Sequence, residues 1–179
     1  MKKNKVILNF KELSIIIDRL CHQLVENHFD FSKTILIGLQ PRGVLFAQKI
    51  LSRLCEITNK NIQYGELDVT FFRDDFRRKP GILTPHETNI DFSIENCNVV
   101  IIDDVLYTGR TIRSALDALG SFGRANSIEL LTLIDRRFTR EIPIEAKYIG
   151  KSVDVFETEY VIVNLDLDDK ESNVLLLNN

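Results

Sequence analysis

The sequence predicts an α/β fold, Rossmann-like and doubly wound, in which helices cover both faces of a mainly parallel sheet. Three mostly apolar runs indicate buried strands at 34–38, 99–102 and 129–134, and the run 99–102 has no polar break. Apolar residues between these runs recur at helical spacing. Strands that alternate with helices form parallel sheets, and the loops at the carboxyl edge of such a sheet bind ligands.

The other elements complete this order. Residues 11–28 carry their apolar side chains on one stripe, which predicts an amphipathic first helix. The strand at 34–38 leads through a turn at 38–43 into a second helix, and Gln63–Phe72 alternates as a strand. A last strand is predicted at 160–165, before an acidic tail.

The most informative stretch runs from the strand at 99–102 into a helix. Asp103 and Asp104 follow the strand, and Thr108-Gly109-Arg110-Thr111 opens a helix whose apolar pattern stops at Gly123. The first turn of a helix presents unpaired N–H groups and partial positive charge, which suits a phosphate. Carboxylates pair with ribose hydroxyls and with Mg²⁺. The stretch therefore predicts a site for a sugar phosphate.

Two other interpretations of this stretch are open. An acidic pair can cap an ordinary helix in any doubly wound protein. A receiver-type domain also places two acids at a strand end, where they bind Mg²⁺, but there the pair follows the first strand. Here two or three elements precede the pair, which disfavours the receiver-type domain.

Length and composition predict one domain, 1–179, of ordinary soluble character, with 44% hydrophobic and 27% charged residues. The net charge of −3 predicts no general attraction for nucleic acid, so RNA binding requires a local basic face. Cys21, Cys55 and Cys97 are far apart and lack metal-binding spacing, which predicts core residues in a reducing compartment. Because no apolar run approaches a membrane span, we expect a cytoplasmic protein without membrane contact.

Four apolar residues, two acids, a short stretch and Thr-Gly-x-Thr together resemble the phosphoribosyl pyrophosphate (PRPP) motif of the type I phosphoribosyltransferases. The resemblance implies that family's fold, with a small hood at about 135–160 and a mobile flap at about 74–97. It also implies that Asp103 and Asp104 hold the ribose hydroxyls. Mg²⁺ is the implied cofactor, and Asp103 is expected to contact it through the ribose or through water.

The resemblance gives the remaining site residues their roles. The expected 5′-phosphate contacts are Tyr107, Thr108, Gly109, Arg110 and Thr111, and the expected pyrophosphate loop is Gln40, Pro41, Arg42 and Gly43. Backbone N–H groups of such a loop cradle the leaving group. Arg73 is expected to join Asp103 and Asp104 in catalysis by contacting pyrophosphate. Further candidates for the same contact are Arg77, Arg78 and Lys79.

Longer runs resemble one branch of this family, the PyrR proteins, which pair uracil phosphoribosyltransferase activity with RNA-binding control of pyrimidine genes. The matching runs are 65–70 with 73–75, 103–111, and 140–144 with 148–151. This resemblance implies that uracil and PRPP give UMP and pyrophosphate. It also implies that Tyr148 and Ile149 lie at the nucleobase pocket, whereas Tyr148 taken alone is typical of a core residue.

The same resemblance places Arg19, His22 and Arg140 on a possible RNA face. Two departures from the family pattern weaken this prediction. Asp18 stands where Thr is usual, and an added negative charge near RNA phosphates opposes binding. The segment 135–141 is one residue longer than the usual Asp-Arg-Gly-His-Arg-Glu and lacks its Gly-His.

The main hypothesis is therefore a PyrR-like uracil phosphoribosyltransferase. One alternative is a UMP-responsive RNA-binding regulator of pyrimidine biosynthesis genes, in which the same pocket binds an effector. Another is a phosphoribosyltransferase for a different base, because the motif recognises PRPP and not the base. The apolar-rich first helix predicts a dimer or a larger homo-oligomer.

Overall fold

The computed structural model describes residues 5–74, 85–156, 158–166 and 171–178. This part of the chain forms eight strands and three α-helices. In chain order they are β1 Lys5–Leu8, α1 Phe10–His28, β2 Thr34–Leu39, α2 Arg42–Thr58, β3 Gln63–Leu67, β4 Asn98–Leu106, α3 Arg110–Leu119, β5 Ser127–Arg137, β6 Tyr148–Asp154, β7 Glu159–Asn164 and β8 Asn173–Asn178.

The main sheet has five parallel strands in the order β3-β2-β4-β5-β6, which confirms the predicted α/β fold. Residues of β4 alternate between its two faces. Val100 and Ile102 pack with α1 and α2, whereas Val99 and Ile101 pack with α3. The chain moves outward from β2 to β3 on one side and from β4 to β5 on the other. The carboxyl ends of β2 and β4 therefore form a topological switch point, where α/β proteins bind ligands.

Helix α1 confirms the predicted amphipathic helix, and its start is fixed by a capping box. The side chain of Asn9 accepts hydrogen bonds from the N–H groups of Lys11 and Glu12, while Glu12 accepts the N–H of Asn9. Leu13, Leu20 and Leu24 are buried against the main sheet. None of the helices in the described residues is long and apolar enough to span a membrane.

A second sheet is antiparallel, with the order β1-β8-β7, and it joins the two ends of the chain. Strand β7 of this sheet begins at Glu159 and so overlaps only the end of the predicted hood at 135–160, while β6 extends the main sheet. The predicted strand at 160–165 is β7, which belongs to this small sheet. Neither β1 nor β8 was predicted, since both are short strands paired between distant parts of the chain.

Two predicted elements end earlier than their patterns indicated. The strand predicted over Gln63–Phe72 stops at Leu67 and is followed by a 3₁₀ turn at Thr70–Phe72. Helix α3 ends at Leu119, before Gly123, because the N–H of Phe122 bonds to the carbonyl of Leu119 in a tighter turn.

The predicted flap at 74–97 is only partly described. Residues 75–84, which include Arg77, Arg78 and Lys79, lie outside the described residues. The chain that follows returns to the main sheet, where Asn89 forms a single antiparallel bridge with Glu66. Ile90, Phe92 and Ile94 then pack against the α3 face of the core.

Candidate active site

The loop that follows β2 packs directly against strand β4 at the switch point. The pyrophosphate loop predicted at 40–43 connects β2 to α2, with a cis peptide between Gln40 and Pro41. A Cβ atom on Gly43 would lie 2.7 Å from the carbonyl oxygen of Ile102 and 3.0 Å from the Cα of Asp103. Only glycine permits this approach, so the start of α2 rests on the end of β4, beside the predicted acidic pair.

Asp103 and Asp104 are part of strand β4 and are 8% and 6% exposed. Asp103 Oδ1 accepts the N–H of Asp104 (3.0 Å), and Asp104 Oδ1 accepts the N–H of Val105 (2.8 Å). Burial and the nearby charge of Asp104 raise the pKa of Asp103 well above its usual value. Burial also raises the pKa of Asp104, against the opposing effect of the Arg42 guanidinium. A cation or a hydroxyl-rich ligand would relieve this unfavourable ionisation.

The predicted 5′-phosphate loop forms the start of α3. Gly109 caps the helix with a φ of 90°, which favours glycine, so the N–H groups of the first turn follow it directly. The carbonyl of Thr108 accepts the N–H groups of Glu141 and Ile142, each at 3.0 Å. These contacts fix the loop before any ligand binds.

The side chain of Arg110 is engaged in ion pairs and does not point to the expected phosphate site. Its guanidinium pairs with Glu141 Oε2 at 2.5 Å and with the carboxylate of Asp74. The backbone N–H of Arg110 remains at the helix start, 3.4 Å from Thr108 Oγ1. Its expected contact to phosphate is therefore through the backbone.

A cavity of about 310 Å³ lies at this switch point. Its lining consists of Gln40, Pro41, Arg42, Arg73, Asp103, Asp104, Val105, Tyr107, Thr111, Arg136 and Val161. Arg73 reaches it from the chain after β3, and its Nη1 donates to Thr111 Oγ1 at 3.3 Å. The structure therefore brings together the acidic pair, Arg73 and residues of both predicted loops.

Arg136 is a site residue that the sequence did not single out. It is 6% exposed, and its guanidinium carbon lies 4.0 Å from the centre of the Tyr107 ring. Its Nη2 donates to the carbonyl of Glu159 at 3.3 Å, but its buried Nε has no hydrogen-bond partner among the described residues. Burial lowers the pKa of this guanidinium. The available signal was its position at the carboxyl end of the run 129–134, where β5 continues to Arg137.

Val161 is the second lining residue that the sequence missed. It lies on β7, so the small sheet covers the side of the cavity next to Arg136. This contact joins residues far apart in the chain and has no local sequence signal.

Tyr148 is placed differently from the prediction of a base pocket. It is 2% exposed in the core, and its hydroxyl donates to Glu129 Oε2 (2.7 Å) and lies 3.2 Å from His28 Nε2. Glu129 and His28 lie at the amino edge of the main sheet, whereas the cavity lies at the carboxyl edge. Ile149 packs against the core on the α3 face, and neither residue lines the cavity. Strand β6 directs the Tyr148 ring into the core, and a role of Tyr148 and Ile149 in binding the base stays a prediction.

The residues of the predicted RNA face have varied surroundings. Arg19 Nη2 donates to the carbonyls of Ile149 (3.0 Å) and Gly150 (2.7 Å), and His22 is exposed. Arg140 pairs with Asp135 and donates to the carbonyl of Tyr107, so it supports the phosphate loop.

The acidic departure in the first helix has a partner. Asp18 Oδ1 lies 2.5 Å from Arg53 Nε, and Arg53 also pairs with Glu56. The charge of Asp18 is thus partly neutralised, and the side chain is held against α2.

Comparisons with known proteins agree with this geometry. A family model described as a phosphoribosyl transferase domain matches residues 4–170. The chain is 41% identical over 173 residues to the bifunctional protein PyrR of Elusimicrobium minutum, covering 97% of this chain and 96% of that protein. It is 35% identical over 181 residues to the bifunctional protein PyrR of Bacillus subtilis, covering 100% and 99%.

Solved structures show the same fold. A hypoxanthine phosphoribosyltransferase from Staphylococcus aureus matches with a TM-score of 0.68 and 26% identity, covering 88% of this chain and 81% of that one. The hypoxanthine phosphoribosyltransferase of Trypanosoma cruzi matches with a TM-score of 0.73 and 18% identity, covering 97% and 96%.

Proposed function

This chain belongs to the phosphoribosyl transferase domain family, and we propose that it is a PyrR-like pentosyltransferase that converts uracil and PRPP to UMP and pyrophosphate. The observation that carries the proposal is the buried pair of Asp103 and Asp104 in one cavity with Arg73, directly before the helix start at Gly109. This arrangement offers a carboxylate surface for a ribose, donors for a phosphate and a cation for a leaving group.

The start of α3 is proposed to hold the 5′-phosphate. The N–H groups of its first turn and the positive end of the helix dipole favour an anion, and the Thr108 and Thr111 hydroxyls add donors. The contacts from Glu141 and Ile142 to Thr108 hold these groups in place, so little rearrangement is needed on binding.

Asp103 and Asp104 are proposed to bind the ribose hydroxyls and Mg²⁺. The described residues contain no cluster of three or more side chains that would hold a metal ion on their own. Two buried carboxylates with raised pKa values fit an ion that keeps waters and takes its other ligands from the substrate. When bound, Mg²⁺ would neutralise charge on the pyrophosphate. Asp103 would contact the ion through the ribose or through water.

Arg73 and the loop 40–43 are proposed to receive the pyrophosphate. A ring nitrogen of uracil attacks C1′ as the bond from C1′ to pyrophosphate breaks and positive charge develops on the sugar, and the proton of that nitrogen is released to water. Arg73 and Arg42 line the cavity and supply positive charge for the leaving group. Catalysis then rests on positioning and electrostatics. A role of the predicted flap, 74–97, in excluding water stays a prediction.

The nucleobase is proposed to bind beside Tyr107, Arg136 and Val161. These residues line the cavity and combine an aromatic ring, an apolar wall and a buried guanidinium whose Nε has no hydrogen-bond partner in the described part of the chain. A guanidinium N–H can donate to a carbonyl oxygen of uracil. Purines such as hypoxanthine also carry a carbonyl oxygen, so the base has to be identified by assay.

A spectrophotometric screen tests this proposal. Purified protein is supplied with PRPP, Mg²⁺ and, in turn, uracil, hypoxanthine, guanine, xanthine or orotate. We expect turnover with uracil, and omission of PRPP is the control. Turnover with another base only would replace uracil in the proposal, and binding of UMP without any turnover would refute the enzyme.

A second candidate function is a UMP-responsive RNA-binding regulator, which is favoured because the PyrR relatives are described as bifunctional. The pairing of Asp18 with Arg53 reduces the repulsion of RNA that the sequence predicted. The regulator function requires binding to pyrimidine leader RNA that depends on UMP, weakens with salt and is selective over scrambled RNA. His22→Ala is the informative variant because His22 is exposed, whereas Arg19 and Arg140 hold the fold. Equal affinity for scrambled RNA at physiological salt would remove this candidate.

We also propose a homo-oligomer, a single domain and a cytoplasmic location. Ile15 on α1 is 67% exposed, which leaves apolar surface for a second copy. Light scattering of the purified chain tests for a dimer or larger assembly. Cys21, Cys55 and Cys97 are free thiols, which agrees with a reducing compartment.

A further inference from the structure

We propose that Asp68 is a positioning residue that places Arg73 in the active-site cavity. The inference rests on the proposed function, because Arg73 is taken as the contact to pyrophosphate. Asp68 follows β3, is 9% exposed and is not among the residues that line the cavity. It therefore acts through the chain around it.

One oxygen of Asp68 organises the turn that precedes Arg73. Asp68 Oδ1 accepts the N–H of Thr70 (2.7 Å) and the hydroxyl of Thr70 (2.6 Å). Thr70 begins the 3₁₀ turn, and the N–H of Arg73 lies 3.5 Å from its carbonyl. The guanidinium of Arg73 then reaches Thr111 at the start of α3. A continuous series of contacts thus connects Asp68 to the proposed 5′-phosphate site.

The other oxygen of Asp68 secures the returning chain. Asp68 Oδ2 accepts the N–H of His86 at 2.5 Å, and the N–H of Asp68 donates to Thr88 Oγ1 at 3.1 Å. Asp68 therefore ties the segment that leaves β3 to the segment that comes back. Both oxygens accept hydrogen bonds, which a carboxylate can do and which an amide cannot, since one of its two atoms is a donor.

Loss of this arrangement should affect PRPP more than uracil. Arg73 would keep its charge but would sample more orientations, and a misplaced cation stabilises the leaving group less well. A loss of about tenfold in kcat/KM for PRPP is expected, with a change of less than about twofold in KM for uracil.

A double-mutant cycle on the full chain tests the inference. Asp68→Asn, Arg73→Ala and the double variant are compared with wild type by kcat and KM for PRPP, and thermal unfolding checks each fold. If Asp68 acts through Arg73, Asp68→Asn costs about tenfold in wild type and less than about twofold when Arg73 is already Ala. Additive losses, or an equal rise in KM for both substrates, would overturn it. The matched control is Asp117→Asn, at an exposed aspartate on α3 that lies outside the flap and does not line the cavity, and it should leave the kinetics unchanged.

Thr70→Val provides a second variant that keeps the carboxylate and removes only the hydroxyl. It should show a smaller loss for PRPP, again absent in the Arg73→Ala background, and additivity would count against the inference even if Asp68→Asn fails to fold. A different result would refute the proposed function, namely a wild-type protein that transfers no phosphoribosyl group. If wild type is active but Arg73→Ala binds PRPP normally, the Arg73 assignment and this inference both fall.

Discussion

Replacing Asp103 by Asn should stabilise the protein at neutral pH when metal and substrate are absent. In the folded chain, burial and the charge of Asp104 raise the pKa of Asp103 well above its usual 3.8. The pKa of Asp103 is close to 3.8 in the unfolded state and higher in the folded state. At a pH between these two values the folded state holds a proton that the unfolded state has released. The free energy of unfolding of the wild type therefore falls as the pH rises through this range. Asn does not ionise, and its oxygen can still accept the N–H of Asp104.

The size of the effect follows from one proton. A difference of one bound proton changes the free energy of unfolding by about 1.4 kcal/mol per pH unit. For a chain of 179 residues, 1 kcal/mol corresponds to roughly 2–4 °C in Tm. The advantage of Asp103→Asn should therefore grow by about 3–6 °C per pH unit within the range and be smallest below pH 3.8.

Differential scanning calorimetry in a chelator, from acid to neutral pH, measures this advantage. Asp117→Asn, at an exposed aspartate on α3, is the matched control and should show no pH-dependent gain. The same Asp103→Asn protein should lose about 100-fold in turnover with PRPP. An advantage that does not grow with pH, or a variant less stable than wild type at neutral pH, would refute the reasoning that a buried carboxylate is held there at a cost in stability.

Four further predictions follow from the same contacts. Asp104→Asn should reduce turnover by about 100-fold with an unchanged circular dichroism spectrum, and near wild-type rates would count against its proposed role. Gly43→Ala should lower the free energy of unfolding in urea by about 1–3 kcal/mol, because its Cβ would meet backbone at 2.7 Å. The control is Gly120→Ala, whose Cβ would lie 3.5 Å from its nearest neighbour and which should leave this free energy unchanged. Burial lowers the pKa of His28 below its usual 6.5, so the free energy of unfolding of the wild type should fall by up to about 1.4 kcal/mol per pH unit as the pH drops below 6.5. His28→Gln should not show this loss when its unfolding is measured over the same pH range. Arg136→Lys should raise the KM for uracil about tenfold and the KM for PRPP much less, because an ammonium cannot reproduce the stacked guanidinium. Equal changes in the two KM values would contradict a contact between Arg136 and the base.

The sequence predicted the parts of the fold that depend on local pattern. The strand and helix around Asp103 and Gly109 have strong signals, since an unbroken apolar run, a glycine cap and a helical stripe all lie within about twenty residues. Strand β6 mixes glycine, lysine and aspartate with apolar residues and lies at a sheet edge, so its pattern resembles a loop. No strand was predicted for this stretch, and the expected place of Tyr148 at the base pocket came from the family resemblance and not from the local pattern.

Contacts between distant residues explain the other omissions. The pairing of Asp18 with Arg53 joins two helices across 35 positions of the chain, and no single-sequence pattern reveals it. Arg136 was visible as a residue after an apolar run, but its stacking on Tyr107 depends on how β4 and β5 are aligned. Such pairings follow from tertiary structure, whereas the acidic pair and the glycine cap follow from local chemistry.

The two edges of the main sheet show why one polar cluster is a site and the other is structural. At the amino edge, Glu129 accepts hydrogen bonds from Lys147 and Tyr148, which lower its pKa despite burial. At the carboxyl edge, the pKa of Asp103 is raised and the buried Nε of Arg136 has no partner among the described residues. A polar group that burial leaves unsatisfied costs stability unless a ligand satisfies it. The amino-edge groups already satisfy one another with hydrogen bonds and opposite charges. The carboxyl-edge groups would be satisfied only when a sugar phosphate and a base bind.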